Sequence, residues 1–475
     1  MLRAEVRKSG ESLILISYFV LSGDVHMRQK LSKHNLLLVG FTLFSMFFGA
    51  GNLIFPIFMG QLAGHHVWAA SAGFLITGVG LPLLGVAALG VSQKDGLLEL
   101  SSQIGRKYGV FFTCLLYLTI GPFFAIPRCA TVSFTVGIEP FISDGGKMAG
   151  LGIFSFVFFA VVLFFSLKPG QILTWIGKIL NPLFLILLSI FVIRALFSPA
   201  GNMSKIEASG AYVSGAFSTG LLEGYNTMDA LAGLAFGIIV VNVIRSLDIK
   251  ESGAVAKNTI KAGVFSSLLM ALIYVLVAVV GAQSRGVFPV AANGGETFAI
   301  VSEYYFGKPG QIILALIFAV ACLKTAIGLV TSCGETFEKI FPNGPSYRVW
   351  AVIFSLLSFL IANVGLDAII AYSLPVLMFL YPLAVTLILL TLCGKLFGND
   401  RRIYSWVTAF TAAAAILDFV KALPKNSDVI VKLQEMLGAV SKMLPISKYG
   451  FGWVCPALVG LMIGLVLQKI RKNKR

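Results

Sequence analysis

The sequence predicts an all-α protein that crosses a membrane many times. Of its 475 residues, 57% are hydrophobic and only 12% are charged, and the mean hydropathy is +0.90. A soluble domain carries about 25% charged residues. Apolar runs of roughly 20 residues recur from residue 35 onward, and each can cross a hydrocarbon core of ~30 Å as a helix. The sequence lacks the ~10-residue alternating segments of a transmembrane β-barrel.

The apolar runs predict about twelve transmembrane helices, which are numbered here as spans 1 to 12. Their predicted bounds are 35–60, 66–92, 110–138, 149–167, 171–197, 215–244, 262–283, 309–334, 347–364, 367–394, 403–421 and 449–469.

The basic residues predict the orientation of the chain. With the N-terminus inside, the cytoplasmic segments hold 25 of the 37 Lys and Arg residues, the outer loops hold nine and the spans hold three. This asymmetry follows the positive-inside rule. We therefore expect a cytoplasmic arm at 1–34, of which 1–26 is a start-site artefact or a signal-like segment, and a basic cytoplasmic tail at 470–475. The net charge of +16 then reflects topology, and no nucleic-acid partner is expected.

Span 1 is interrupted by the stretch "FFGAGNLIFP" at residues 47–56. Lipid cannot satisfy the backbone groups that a helix break frees, so such breaks persist where protein buries them or where they line a polar cavity. The alternative is a close helix–helix contact through the small residues Gly49 and Gly51.

Span 6 carries polar residues within the apolar stretch "FSTGLLEGYNTMDALAGLAFG". Glu223, Asn226 and Asp229 lie there beside Gly220 and Gly224. Carboxylates inside a membrane are costly and usually face a site or a pathway. The alternative is that Glu223 and Asp229 hold the bundle together by pairing with Arg128 of span 3.

The order of the two breaks predicts the architecture. Interrupted helices at corresponding positions of two five-helix halves are typical of an inverted-repeat transporter. The first repeat is then 35–197 (spans 1 to 5), the second is 215–394 (spans 6 to 10), and 403–469 holds two peripheral spans. The sequence shows no channel-like ring of polar groups, and no HExxH or GxSxG motif, so neither a channel nor an enzyme is expected.

Five motifs resemble the bacterial branched-chain amino acid:cation symporter family. They are "GFTLFSMFFGAGNLIFP", "HVWAASAGFLITGVGLPLLGVAALG", "GPFFAIPRCATVSF", "LLEGYNTMDALAGLAFG" and "ACLKTAIGLVTSC". The resemblance runs from about residue 31 to the C-terminus. It implies uptake of leucine, isoleucine and valine across the bacterial cytoplasmic membrane, driven by sodium, on a fold similar to the leucine-transporter type. The alternative is a sodium-independent or proton-coupled transporter, or an exchanger, of another apolar amino acid such as methionine. No organic cofactor and no obligate protein partner are expected.

The break in span 1 is the predicted site for the substrate carboxylate. The N-terminus of a half-helix offers free N–H groups and the positive end of the helix dipole. We assign this role to the backbone of Gly49, Ala50 and Gly51, where no large side chain blocks the ligand. Asn52 resembles the asparagine at the matching break of the leucine-transporter fold, which implies contact with a cation or a carboxylate. A capping role for Asn52 is the compatible alternative.

The break in span 6 is the predicted site for the substrate ammonium group. The carbonyls of Gly224, Tyr225 and Asn226 are the expected acceptors, with Glu223 or Asp229 as a counter-charge. The candidates for the apolar wall of the pocket are Ile120, Phe123, Phe124, Phe236 and Ile327.

Arg128 follows Pro122 and Pro127 in span 3, which predicts a distorted helix there. A mid-span arginine must pair or reach water. We favour a gating or structural ion pair for Arg128, with Asp229 as a partner, over direct substrate binding.

The resemblance to the leucine-transporter fold also implies a sodium site between spans 1 and 8. It assigns the ligands to the carbonyls of Ser45 and Phe48 and to the hydroxyl of Thr325, but places Lys324 in the remaining ligand position. An ammonium group there would repel a sodium ion, by about 4 kcal/mol at 4 Å with an effective dielectric of 20. The alternative is that Lys324 extends to the cytoplasmic edge of the membrane.

Overall fold

The computed structural model is helical, with no β-strand, over the residues it describes, which are 31–49, 51–167, 181–249, 251–425 and 427–472. Nine helical stretches among them are long and apolar enough to cross a membrane, and Asn181–Phe197 and Tyr347–Ala362 are shorter apolar helices. The predicted fold class, an all-α polytopic membrane protein, is confirmed. The predicted segment 1–26 and the first part of predicted span 5 lie outside the described residues.

The helices follow the predicted spans in order, with spans 1, 2, 3 and 6 each built from two segments. They are α1 (Lys33–Phe47) and α2 (Gly51–Ala63) in span 1; α3 (Val67–Leu75) and α4 (Leu81–Ser92) in span 2; α5 (Leu97–Ser101) before span 3; α6 (Arg106–Leu118) and α7 (Ala125–Gly137) in span 3; α8 (Lys147–Ser166) in span 4; α9 (Asn181–Phe197) in span 5; α10 (Tyr212–Glu223) and α11 (Asp229–Ser246) in span 6; α12 (Ser252–Ser284) in span 7; α13 (Gly294–Ile340) in span 8; α14 (Tyr347–Ala362) in span 9; α15 (Leu366–Cys393) in span 10; α16 (Arg401–Ala422) in span 11; α17 (Asp428–Met443) between spans 11 and 12; and α18 (Val454–Lys472) in span 12.

Both predicted helix breaks are present. In span 1, α1 ends at Phe47, Phe48 is extended (φ −76°, ψ 100°), and α2 begins at Gly51. In span 6, a 3-10 turn follows α10, and Met228 adopts a left-handed conformation (φ 63°) before α11 begins. The break in span 6 therefore extends to Met228, two residues beyond the predicted Gly224–Asn226.

Outside span 5, three spans begin five or more residues away from their predicted start. One is span 7, in which α12 begins at Ser252 where the predicted start is residue 262. Helix α13 begins at Gly294, well before the predicted start of span 8 at residue 309, and Gly307 (φ 61°) and Pro309 interrupt it. Glycine tolerates this backbone conformation, which a residue with a side chain rarely adopts. Span 12 begins at Val454 and not at 449, because a 3-10 turn at Ser447–Tyr449 precedes it.

The spans pack in two groups. Spans 1, 2, 6 and 7 form one group, in which α12 packs on α1 and α2, and α10 and α11 pack on span 2. Spans 3, 4, 8 and 9 form the other, in which α13 packs on α7. If spans 1 to 5 are matched with spans 6 to 10, most of these contacts have a counterpart. Span 1 then corresponds to span 6 and span 2 to span 7, and the contact of span 1 with span 7 corresponds to the contact of span 6 with span 2. Two repeats of one fold would produce this correspondence.

Glycines bring the backbones of spans 1 and 7 into direct contact. A Cβ on Gly60 would lie 1.9 Å from the Ala278 carbonyl oxygen, and a Cβ on Gly281 would lie 1.9 Å from the Ile57 carbonyl oxygen. Small residues permit this close approach of membrane helices. The contact fixes α2, and hence the break in span 1, against α12.

Candidate substrate site

A small cavity lies where the breaks of spans 1 and 6 meet spans 3 and 8. Its lining consists of Met46, Phe47, Gly49, Gly51, Asn52, Ile120, Ala125, Arg128, Cys129, Thr227, Met228, Asp229, Ala232, Phe236, Thr325 and Leu329. Its volume is about 30 Å³. A water molecule needs about 10–15 Å³ on this measure, so the cavity admits about two waters but not an amino acid. Entry of a larger molecule requires the surrounding helices to separate.

The cavity brings together about half of the residues that the sequence singled out. The predicted site residues that line it are Gly49, Gly51, Asn52, Ile120, Arg128, Asp229, Phe236 and Thr325. The others that the structure describes are outside the lining: Ser45, Phe48, Phe123, Phe124, Glu223, Gly224, Tyr225, Asn226, Lys324 and Ile327. Ala50 lies outside the described residues.

The predicted ammonium-binding turn of span 6 makes packing contacts in this conformation. A Cβ on Gly224 would lie 2.0 Å from Thr77 Oγ1 of span 2. Tyr225 stacks on Tyr381 of span 10, with ring centroids 3.9 Å apart. Glu223 is partly exposed at the end of α10. Of the two predicted carboxylates, only Asp229 faces the cavity.

Close contacts explain why glycine occupies both sides of the break in span 1. A Cβ on Gly49 would lie 2.9 Å from Thr325 Oγ1, and a Cβ on Gly51 would lie 2.9 Å from the terminal guanidinium nitrogen Nη2 of Arg128. The Gly49 N–H donates to Asn52 Oδ1 at 2.8 Å. Asn52 therefore caps the break, as the compatible alternative anticipated, and its carbonyl oxygen is already engaged.

Asp229 joins three spans through one carboxylate oxygen. Its Oδ2 accepts hydrogen bonds from Asn52 Nδ2 of span 1 at 2.6 Å and from the Tyr274 hydroxyl of span 7 at 2.7 Å. The Asn52 amide nitrogen also contacts the Tyr274 hydroxyl. All three side chains are buried. Asp229 begins α11, where the helix dipole favours a negative charge.

Replacing Tyr274 by phenylalanine is expected to reduce uptake by about tenfold or more without changing the amount of protein in the membrane. The change removes one hydrogen bond to a carboxylate, which contributes about 1.5–3 kcal/mol. Initial rates of labelled leucine uptake measure the effect. Tyr108→Phe is the matched control, because the Tyr108 hydroxyl has no hydrogen-bond partner among the described residues. Equal uptake rates for Tyr274→Phe and Tyr108→Phe would show that the Tyr274 hydroxyl does not contribute to the site.

Arg128 is a buried cation that has no carboxylate within 4.0 Å among the described residues. Its side chain is 4% exposed, Nη1 donates to the Asn226 carbonyl at 2.9 Å, and the guanidinium carbon lies 5.1 Å from the centroid of the Phe55 ring. Among the described residues, the ion pairs within 4.0 Å are those of Lys147 and Arg245 with exposed or partly exposed carboxylates. The predicted ion pair of Arg128 with Glu223 or Asp229 is therefore not formed in this structure. A guanidinium and a carboxylate face one cavity without touching each other.

The predicted cation residues lie beside the cavity. Thr325 Oγ1 donates to the Phe48 carbonyl at 3.4 Å, and the buried Ser45 hydroxyl has no partner among the described residues. Lys324 is 1% exposed; its Nζ donates to Asn181 Oδ1 at 3.1 Å and lies 4.7 Å from the centroid of the Phe184 ring. Lys324 is therefore enclosed by protein in this conformation, and its ammonium group is not exposed.

Sequence reasoning missed Tyr274 and Asn181. Tyr274 lies within the apolar run "LLMALIYVLVAVV", where one tyrosine is unremarkable among the 13 in the chain. Asn181 stands at the start of α9 and resembles a helix-capping residue. Their contacts become visible only in the structure, where Asn181 of span 5 meets span 8 and Tyr274 of span 7 meets span 1.

The sequence matches a family model described as "Branched-chain amino acid transport protein" over residues 32–471. A branched-chain amino acid permease of Lactobacillus delbrueckii subsp. lactis is 51% identical over 450 residues, which cover 94% of this chain and 100% of that protein. A branched-chain amino acid transport system 2 carrier protein of Pseudomonas aeruginosa is 40% identical over 445 residues, which cover 94% of this chain and 98% of that protein.

Two solved structures show the same fold at low sequence identity. A nucleobase-cation-symport-1 family transporter, closed with bromovinylhydantoin bound, superposes with a TM-score of 0.58 at 14% identity, covering 92% of this chain and 93% of that one. A manganese transporter of Eremococcus coleocola gives the same TM-score and identity, covering 92% and 95%. The expected similarity to the leucine-transporter type of fold is thereby confirmed.

Proposed function

We propose, on the premise that this chain belongs to the branched-chain amino acid transport protein family, that it imports leucine, isoleucine and valine by alternating access through the cavity between spans 1, 3, 6 and 8. The chain is a multi-pass membrane permease and not an enzyme. We further propose that spans 1 to 5 and 6 to 10 are inverted repeats and that both termini are cytoplasmic. The recurrence of the span contacts five spans later supports the repeats.

The observation that carries the proposal is the pair of separated opposite charges, Arg128 and Asp229, in one cavity. An unpaired buried charge is strongly unfavourable, and a partner of opposite charge removes much of that cost. An amino acid at neutral pH carries one negative and one positive group on adjacent atoms. Bound between Arg128 and Asp229, it would give each buried charge a partner while adding no net charge to the membrane interior.

The cavity surroundings match the two ends of such a substrate. The guanidinium of Arg128 lies beside Gly51 at the N-terminus of α2, so a carboxylate there would meet both the arginine and free backbone N–H groups. The ammonium group would lie toward Asp229. Apolar side chains complete the lining and would contact a branched aliphatic chain; they include Met46, Ile120, Ala232, Phe236 and Leu329.

The small volume of the cavity supports alternating access. A site too small for the substrate requires the helices around it to move before binding, and the broken helices of this fold supply the points at which they can bend. Phe48 and Gly49 interrupt span 1, residues 224–228 interrupt span 6, and both breaks contribute residues to the cavity lining. We propose that these breaks open the site alternately to the two faces of the membrane.

Two coupling mechanisms have support. The resemblance to the family favours sodium, for which the Ser45 and Phe48 carbonyls and the Thr325 hydroxyl supply oxygen atoms. The buried Ser45 hydroxyl, which has no partner among the described residues, is a further candidate. The burial of Lys324 favours the second candidate, uptake that is independent of sodium or coupled to protons. In that case the ammonium of Lys324, held by Asn181, supplies the positive charge that a sodium ion would otherwise supply between spans 1 and 8.

Under the second candidate, uptake by the unmodified protein is expected to persist when choline replaces sodium, and Lys324→Thr is expected to make uptake sodium-dependent. The variant removes the fixed charge and adds a hydroxyl oxygen of the kind that binds sodium. Initial uptake rates at a series of sodium concentrations measure the effect. Lys339→Thr is the matched control, since Lys339 is exposed on the same helix. If the unmodified protein takes up no leucine when sodium is absent, the second candidate is wrong and transport is coupled to sodium.

Counterflow in proteoliposomes tests the proposed function. Vesicles preloaded with unlabelled leucine are expected to accumulate labelled leucine, isoleucine and valine transiently, and methionine much more slowly. A larger response to methionine than to the three branched amino acids would favour the alternative substrate. Equilibration without transient accumulation would indicate a channel and contradict the proposal.

A further inference from the structure

Helix α17 carries an apolar stripe that no other part of the described chain covers. The helix joins spans 11 and 12, and its residues Val429, Met436, Val440 and Met443 are 74%, 66%, 46% and 82% exposed. At about 100° per residue, these four positions fall within an arc of about 60°. We call them the α17 stripe. They form one continuous face of the helix.

The remaining surface of α17 is divided between protein and water. Ile430, Gln434 and Leu437 are partly buried on the side toward span 11. Charged residues, among them Asp428 and Glu435, are exposed beyond the other edge of the stripe. The helix therefore has three faces: one packed on the protein, one charged and one apolar but exposed.

Gln434 fixes the depth of α17. Its side-chain amide donates to the carbonyls of Val420 at 3.1 Å and Leu423 at 2.8 Å, which belong to the carboxyl-terminal end of span 11. Carbonyls in the last turn of a helix lack their usual intrahelical partner. Gln434 supplies a partner to the Leu423 carbonyl and a second one to the Val420 carbonyl, which also accepts from the Leu423 N–H. Because a membrane-crossing helix ends at the boundary between lipid and water, a helix held across that end lies at the same level.

We propose that α17 lies in the outer boundary of the membrane, with its stripe among the lipid chains and its flanking lysines on anionic lipid headgroups. A helix at this level has protein on one side, lipid below and water above, which are the three environments that its faces match. Interfacial helices characteristically place an apolar face about 5–10 Å into the boundary region. The inference does not depend on which amino acid the protein carries.

The charge of this segment identifies the lipid. Residues 421–448 hold five lysines but only two acidic residues. Lys421, Lys425 and Lys432 are exposed. The segment is predicted to be an outer loop, and outer loops are ordinarily poor in lysine, so topology does not account for the excess. Lysines near a membrane surface are attracted to anionic headgroups.

Spin labels test the position of α17. In a cysteine-free version that retains transport, a single cysteine is introduced by Met436→Cys in the stripe or by Glu435→Cys on the charged face. A spin label is attached to this cysteine, and the protein is placed in vesicles that contain phosphatidylglycerol. Accessibility to oxygen reports lipid, and accessibility to a water-soluble nickel complex reports water. We expect the Met436 label to be several-fold more accessible to oxygen than to nickel, and the Glu435 label to show the reverse.

Two outcomes would overturn the placement in lipid. Equal exposure of both labels to nickel would put the stripe in water. Protection of the Met436 label from both reagents, with dipolar broadening between labels, would show that a second copy of the chain covers the stripe.

The lipid charge is tested with lysine variants. We expect the Met436 label to lie deeper in vesicles with phosphatidylglycerol than in phosphatidylcholine alone. We expect this difference to disappear when Lys421, Lys425 and Lys432 are all replaced by glutamine. Lys205→Gln with Lys308→Gln is the control, since both are exposed lysines of other predicted outer loops. If the triple variant retains the full difference, the electrostatic part of the proposal is wrong.

Discussion

Replacing Arg128 by glutamine is expected to abolish leucine uptake while the protein still inserts into the membrane. In the proposed complex the guanidinium is the partner of the substrate carboxylate. Two opposite charges 4 Å apart attract each other by about 4 kcal/mol at an effective dielectric of 20. Since each 1.4 kcal/mol is a factor of ten, affinity would fall about a thousandfold. Uptake of labelled leucine at concentrations below saturation measures the loss.

Two further variants separate charge from position. Arg128→Lys retains the positive charge but loses the two-pronged geometry, so we expect a reduced rate that is still measurable. Arg194→Gln removes an exposed arginine of span 5 and should leave uptake unchanged. Uptake by Arg128→Gln near the rate of the unmodified protein would exclude the arginine from substrate binding.

Replacing Gly51 by valine is expected to abolish uptake as well, for a steric reason. Even a Cβ at this position would lie 2.9 Å from Arg128 and 3.2 Å from the Phe55 ring. A branched side chain would therefore displace the guanidinium and fill the space in which the carboxylate is proposed to bind. Uptake assays at matched protein levels measure the result.

The control for this prediction is valine at a glycine with room around it. Gly80 lies in span 2, and a Cβ there would have only the Leu75 carbonyl oxygen within 4 Å, at 3.8 Å. Gly80→Val should therefore retain substantial uptake. If Gly51→Val transports as well as Gly80→Val, the carboxylate does not bind at the break in span 1.

The helix breaks could be predicted from the sequence because their physical cost leaves a clear pattern. A membrane helix is almost entirely apolar, so the glycines and Asn52 in span 1 stand out, as does Asp229 in span 6. Ten of the sixteen residues that line the cavity belong to these two spans, and the sequence analysis named five of the ten: Gly49, Gly51, Asn52, Asp229 and Phe236. This prediction of the helix breaks depended only on local composition, which can be read from a single sequence.

The relations between spans could not be predicted in the same way. The sequence suggested that Arg128 pairs with a carboxylate, because a buried charge requires compensation, but the structure keeps Arg128 and Asp229 apart. Glu223 carries the same charge as Asp229 only six residues earlier, yet it lies outside the cavity because the 3-10 turn rotates the chain between them. Such outcomes depend on distances in space that no local pattern contains.

Helix α17 illustrates a second limit. Its apolar residues are too few for a span, so the segment was predicted only as an outer loop. The periodicity that defines its stripe becomes meaningful once Gln434 is seen to hold the helix across the end of span 11.

The most direct test of the account compares leucine with leucinamide on the unmodified protein and on Arg128→Gln. Leucinamide keeps the ammonium group and the side chain but lacks the carboxylate. Stabilisation of the purified protein against thermal unfolding, followed over a wide range of ligand concentrations, gives the apparent affinity of each pair. We expect the unmodified protein to prefer leucine by about a thousandfold. Most of this preference is expected to disappear in Arg128→Gln, because leucine loses its guanidinium partner and only the backbone N–H groups of α2 still favour the carboxylate. A preference for leucine that persists in full in Arg128→Gln would contradict the proposal that Arg128 binds the substrate carboxylate.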